Sequence, residues 1–220
     1  MIKDLVIFDV DNTIINGQSQ QLFLNFLHEK KYVSLFYYVR ITIWFILYKL
    51  GIVKNPKVTM EYAFYFIKDK TVEDIEVLTD SFFNSVLKNK IYPDVLKIIK
   101  KHQEQDQEII LISNAADVII KKLADYLHIK NFLSTKLEVT NNRYTGNIIG
   151  DIMYGSNKCK ALKNYVQSKN LVFENSWSYA DHDSDIPLFL ETSHPCVVNP
   201  SKKLKKIAVI KKWPVLNFKL

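Results

Sequence analysis

The 220-residue chain sets 30 lysines and arginines against 23 acidic residues, a formal charge of +7, and is 48% hydrophobic and 24% charged. Those proportions exclude a disordered or fibrous chain and fit one large domain, or a core with an insertion. Cys159 and Cys196, the two cysteines, stand in no metal-ligand spacing, which points to reduced thiols and a cytoplasmic location. The first residues run straight into an apolar strand without a basic and then hydrophobic leader, so no cleaved signal peptide is expected.

Leu5-Val6-Ile7-Phe8 reads as a buried strand, and it ends in Asp9, Asp11, Asn12 and Thr13. Buried carboxylates are costly unless paired or metal-bound. An Asx turn is one explanation; a ligand site at the carboxyl end of a parallel strand is the other. Residues 18 to about 90 read as helical throughout, far longer than an ordinary strand-to-helix connection. A helix follows near Pro93 and Asp94, since proline suits a first helical turn.

"EIILIS" (108–113) is a second buried strand, ending at Ser113 and Asn114, with a helix from about Ala116 to Leu127. A strand over 132–139 leads into a turn at 141–146 and extended chain to Tyr154. A helix from about Ser156 to Gln167 carries Lys158 at its start. The strand at 176–180 is followed by Asp181, Asp183 and Asp185, and the last strand spans 194–198. The lysines of "KKLKK" (202–206) fall on the wet face of a closing amphipathic helix, and no nucleic-acid-binding motif accompanies them. Nucleic acid is therefore not an expected partner. The alternation predicts an α/β fold with a Rossmann-like parallel sheet, its core at 1–15 and 91–220, and an all-helical cap at 16–90.

Each polar station has a plain structural explanation. Ser113 or Asn114 could cap a helix, Lys158 could be solvated, and the aspartates could form an acidic first turn. Their order is more specific, because together they resemble the haloacid dehalogenase superfamily at its phosphatase end. Asp9-Val10-Asp11-Asn12-Thr13 matches an Asp-x-Asp-x-Thr motif, Ser113 a second motif, and Lys158, preceded by Gly155, a third. Ala180-Asp181-His182-Asp183-Ser184-Asp185 matches the fourth apart from its leading glycine. The ending "VVNPSKKLKKIAVIKKWPVL" is similar to the subfamily related to phosphoserine phosphatases, which carries a helical cap between the first two motifs.

The resemblance implies a magnesium-dependent phosphomonoesterase. Asp9 would be the nucleophile that forms an aspartyl-phosphate, and Asp11 the general acid and base. Asp9, the backbone carbonyl of Asp11, and Asp181 would hold Mg2+, with Asp185 orienting from behind. Ser113, Asn114 and Lys158 would bind phosphate. These roles make chemical sense, because an anionic phosphate ester demands charge neutralisation and a carboxylate can act as its nucleophile. Asp183 would orient metal-bound water or merely open the next helix, and the second is expected. His182 would shape the site mouth or have no role.

The family's phosphoserine phosphatases place an acidic residue nine positions after the nucleophile, and here that residue is Gln18. A neutral amide does not repay desolvation of an ammonium group, so the expected substrate is another small phosphorylated metabolite or a lipid phosphate. A phosphotransferase of the same fold, and a noncatalytic module that binds phosphate ligands or membrane, are the alternatives. No obligate protein partner is implied.

"YVSLFYYVRITIWFILYKL" (32–50) is strongly apolar, but its uncharged run from Ile41 to Tyr48 is short of the roughly 20 residues that span a bilayer. Arg40 would cost about 2.5–3.5 kcal/mol at a bilayer centre. In-plane contact with the inner face of a membrane is one remaining reading. The other, which is the expectation, makes Phe36, Val39, Ile43, Ile46 and Leu47 the packed interior of the cap.

Overall fold

Every residue of β1 (Leu5–Asp9) is buried, as its unbroken apolar run requires of a central strand covered on both faces. The computed structural model describes residues 4–50, 52 and 56–220. Val6 and Phe8 enter one apolar cluster and Leu5 and Ile7 the other. β2 (Glu108–Ala116) repeats the alternation, with Ile109 and Leu111 on one face and Ile110 and Ile112 on the other. With β3 (Asn131–Thr140), β4 (Arg143–Ile149), β5 (Ser176–Ala180), β6 (His194–Val198) and β7 (Val215–Leu216), the strands form one sheet in the order β4-β3-β2-β1-β5-β6-β7. All neighbours are parallel except β3 and β4. The fold is α/β with a predominantly parallel sheet.

Helices α5 (Pro93–Glu104), α6 (Asp117–Tyr126), α7 (Ser156–Ser168), α8 (Ile186–Glu191) and α9 (Lys202–Lys211) connect and cover the strands. Register decides where the chemistry lands. Asp9 lies opposite Ile112 and Phe8 opposite Tyr179, so Ser113 and Asp181 emerge at the same sheet edge as Asp9.

Two strand ends differ from the sequence reading. β2 continues through Ala116, because after a register shift Ala116 still pairs with Thr135, so the helix expected from Ala116 starts at Asp117. The turn expected over 141–146 is confined to Asn141 and Asn142, and Arg143–Ile149 is an antiparallel strand. Asn141 and Asn142 adopt φ of 50° and 61°, the left-handed pair that closes a tight hairpin and that asparagine tolerates.

Between β1 and α5 every regular element among the described residues is helical: α1 (Ser19–Glu29), α2 (Leu35–Lys49), α3 (Pro56–Phe64), α4 (Val72–Phe82) and short turns. The chain enters and leaves this segment side by side. Tyr92 N–H donates to the Ile14 carbonyl at 3.0 Å and Asn16 N–H to the Lys90 carbonyl at 2.7 Å. Phe82 packs its ring 4.9 Å from Phe23 and 5.5 Å from Phe26, giving the segment an aromatic centre. Thr71 and Asp74 close a capping box at the start of α4.

The packed interior expected of Phe36, Val39, Ile43, Ile46 and Leu47 is not what α2 forms. Phe36 is 76% exposed, Val39, Ile43 and Ile46 are exposed, and Leu47 is half-buried. α2 packs through its other side, where Ile41 is fully buried and Tyr37, Tyr38 and Phe45 lie against the core. The Tyr37 hydroxyl donates to the Tyr62 carbonyl at 2.7 Å, which fixes the rotation of the helix. Among the described residues no helix is long and apolar enough to cross a membrane.

Candidate active site

The strand that opens the fold also starts the site. Asp9 closes β1 with its carboxylate buried, and Lys158 Nζ donates to Asp9 Oδ1 at 2.5 Å and to Asp185 Oδ1 at 2.9 Å. Lys158 reaches this point from the first turn of α7, whose preceding residue Gly155 has φ 56°. Nothing lies within 4 Å of the position a Cβ would take there, so backbone conformation rather than space favours glycine. Thr13 Oγ1 donates to Asp9 Oδ2 at 3.3 Å. Oxygen atoms of Asp9, Asp181 and Asp185 lie within 4.8 Å of one another.

Asp11 is tied to the start of α1. Its Oδ1 accepts from the backbone N–H of Ser19, the first residue of α1, at 2.8 Å, so its carboxylate stands outside the three-aspartate cluster. Ser113 is fully buried at the sheet edge, and its Oγ accepts from the Ala115 N–H at 3.1 Å. Asn114 is held through its carbonyl, which accepts from Gln20 Nε2 at 3.2 Å and Thr135 Oγ1 at 2.9 Å. Its Oδ1 is buried with no hydrogen-bond partner among the described residues.

The remaining predicted positions separate. Asp185, read as an orienting residue, is 2% exposed and sits inside the charged cluster. Asp183 faces away and pairs with Lys203 at 2.5 Å. That pair holds its carboxyl below the usual range, chiefly through the Lys203 hydrogen bond. His182 is exposed and bonds to Ser184 two residues on. Gln18 is exposed, and its side chain makes no capping bond to α1.

Sequence reasoning assigned no role to Asn12, Thr13 or Ser19. Asn12 Nδ2 donates to Asp181 Oδ2 at 3.2 Å, linking two stations 169 residues apart. Thr13 stood in the quoted motif, and its spacing from Asp9 was the available signal. Ser19 acts through its backbone, which residue type does not reveal.

The electrostatics describe a site short of positive charge. Burial pushes Asp9 well above the usual carboxyl range, and Asp185 and Asp181 add to it against the pull of Lys158. Burial also raises Asp181, to about 6, with Asp185 reinforcing and the Asn12 hydrogen bond opposing. Asp11 is raised by burial against the hydrogen bonds from Ser19. Burial works against the Lys158 ammonium, yet Asp185 and Asp9 together outweigh it and hold the group firmly protonated. Three clustered carboxylates with one ammonium between them fit a hard divalent cation, and an all-oxygen set suits Mg2+.

The chain is similar to known proteins to different extents. The family described as haloacid dehalogenase-like hydrolase matches residues 6–190. A histidinol-phosphatase of Neisseria meningitidis serogroup C (strain 8013) is 28% identical, the match covering 99% of this chain and 100% of that protein. A solved protein from Bordetella pertussis Tohama I superposes with a TM-score of 0.91 at 19% identity, covering 98% of this chain and 99% of the other. The phospho-aspartyl intermediate analogue of a phosphoserine phosphatase gives a TM-score of 0.66 at 18% identity, over 100% of this chain and 95% of the other.

Proposed function

Since the chain belongs to the haloacid dehalogenase-like hydrolase family and is a phosphatase of that family, we propose that it hydrolyses a phosphate monoester through an aspartyl-phosphate on Asp9, with Mg2+ as cofactor. The observation that carries this reading is the buried Asp9–Lys158 pair at the end of β1, with Asp181 and Asp185 gathered beside it. In this reading residues 1–15 and 91–220 are the catalytic core, and 16–90 form a cap inserted where the two crossings pair.

An Asp9 carboxylate oxygen attacks phosphorus and the bond to the ester oxygen breaks. Asp11, which burial makes a better proton holder, gives its proton to the leaving alkoxide. Ionised Asp11 then takes a proton from water as that water attacks phosphorus. The Asp9–phosphorus bond breaks, inorganic phosphate leaves, and both carboxyls return to their starting states. Lys158 holds the Asp9 carboxylate in place and neutralises phosphoryl charge, and the Ser113 hydroxyl donates to a phosphoryl oxygen. Asp9, the Asp11 carbonyl and Asp181 would hold Mg2+, with Asp185 beside them; when bound it offsets charge on the phosphoryl oxygens.

The relatives' names favour a small phosphorylated metabolite over a lipid phosphate. Gln18, exposed and neutral, supplies no carboxylate for a substrate ammonium, which argues against phosphoserine itself. The test is phosphate release from p-nitrophenyl phosphate and from a panel of phosphorylated metabolites, with Mg2+ or with EDTA. Magnesium-dependent turnover that Asp9→Asn abolishes is expected. Turnover by Asp9→Asn at the unsubstituted rate, or full activity after chelation, would overturn the mechanism.

A further inference from the structure

We propose that the outer face of α2 lies in the plane of an anionic membrane surface. Phe36, Val39, Ile43 and Ile46 are all exposed, and their spacing of three and four residues sets them on one stripe of the helix, which exposed Leu50 extends just past its end. Phe36 is 76% and Leu50 68% exposed. Isolated exposed apolar residues need no explanation, but a continuous stripe marks a surface that something covers. The stripe is not a misplaced core face. The opposite side of α2 is already used, with Ile41 fully buried and Tyr37 tied to the Tyr62 carbonyl.

Charge identifies the occupant. From residue 30 to residue 60 the sequence holds six basic residues, Lys30, Lys31, Arg40, Lys49, Lys54 and Lys57, and no acidic one. Lys30, Lys31 and Arg40 are exposed, and the Arg40 guanidinium stands 4.5 Å from the centre of the Tyr62 ring. An apolar stripe in a stretch of sequence rich in basic residues, with Lys30, Lys31 and Arg40 exposed, matches acyl chains beneath anionic headgroups. A second copy of the chain fits worse, because a two-fold contact through this stripe sets the same basic stretches against each other. With 15 residues α2 is about 22 Å long, shorter than the roughly 30 Å hydrocarbon layer, so it lies along the interface rather than through it. This attachment is independent of the reaction at Asp9.

The test is co-sedimentation of the full chain with phosphatidylcholine vesicles, with or without phosphatidylserine, at low and high salt. Binding that requires phosphatidylserine, weakens with salt, and drops about tenfold or more in Phe36→Glu and Ile43→Glu is expected. Circular dichroism and thermal melting of these variants should match the unsubstituted chain, since both side chains point to solvent. Protein that stays in the supernatant with both vesicle types at low salt overturns the proposal. So does lipid binding indifferent to Phe36→Glu, which would place attachment on another face. Light scattering closes the remaining route: a dimer dispersed by Phe36→Glu, with no lipid binding, makes the stripe a self-interface instead.

Discussion

Asn12 holds Asp181 by a 3.2 Å hydrogen bond from its side-chain amide, while its own backbone takes φ 58° in the turn after β1. Asparagine satisfies both demands, since it tolerates the left-handed region and carries a donor. Asn12→Gly keeps the backbone and deletes the amide. Its Mg2+ half-saturation should rise about 10–100-fold, with kcat at saturating Mg2+ largely retained, as for loss of a ligand-orienting bond. Activity measured against Mg2+ concentration checks this, and an unshifted curve would remove Asn12 from the metal site. Asn12→Ala should melt lower than Asn12→Gly, because left-handed backbone costs a non-glycine residue about 1–2 kcal/mol.

Asp183 and Asp185 are two residues apart and have different fates. Asp185 is 2% exposed and bonded to Lys158, whereas Asp183 meets Lys203 at the surface. Asp185→Asn should cut kcat at least about 100-fold by loosening Lys158 beside Asp9. Asp183→Asn should leave kcat within about twofold and cost less than about 1 kcal/mol, the usual worth of an exposed pair. Parallel kinetics and urea unfolding of the two variants decide it. Equal losses of activity would show that Asp183 also serves the site.

Much of this was legible because the fold rests on strong periodic signals. Leu5–Phe8 and Ile109–Ile112 are continuously apolar, so their reading as buried strands followed from residue type alone. The meeting of Asp9, Ser113, Lys158, Asp181 and Asp185 was legible only through motif order, since separations such as that between Asp9 and Lys158 carry no geometric information. Register brought them together, and register is a tertiary property. The outward turn of α2 was not legible either. Its sequence is apolar on both sides, so periodicity could not tell which side packs, and the choice fell to Ile41 and Tyr37. The divergence of Asp183 from Asp185 depended on Lys203, a partner contributed by a different helix.

Lys158 balances two buried carboxylates at once. Lys158→Ala leaves Asp9 and Asp185 facing each other without a cation, and breaking a buried pair by removing one partner costs about 3–5 kcal/mol. Thermal melting in EDTA should show that loss. Added Mg2+ should recover part of it, because a cation at the aspartates replaces the missing charge, although phosphatase activity stays low. A melting temperature unchanged by Lys158→Ala in EDTA would mean that the pair carries little of the folded state's electrostatic balance.

His102 ties acid stability to the strands beneath the site. Its ring is buried, with Nδ1 2.5 Å from Gln107 Oε1 and Nε2 2.9 Å from the Tyr179 hydroxyl. Because Gln107 Oε1 can only accept, Nδ1 carries the proton, and neutral Nε2 accepts from Tyr179. Burial lowers the pKa of His102, the Gln107 hydrogen bond opposes that shift, and the Lys101 charge adds to it. The unfolded chain therefore binds this proton first as pH falls. Above about pH 6.5, the ordinary histidine value, the ring is neutral in both states and its contribution is constant. Below it, stability falls with pH until the folded ring also protonates. Urea unfolding of the unsubstituted chain and of His102→Gln should give parallel stability profiles above about pH 7. Below about pH 6.5 the unsubstituted chain should lose stability more steeply, because glutamine has no proton to take up. Profiles that stay parallel down to about pH 5 would show that His102 titrates alike in both states.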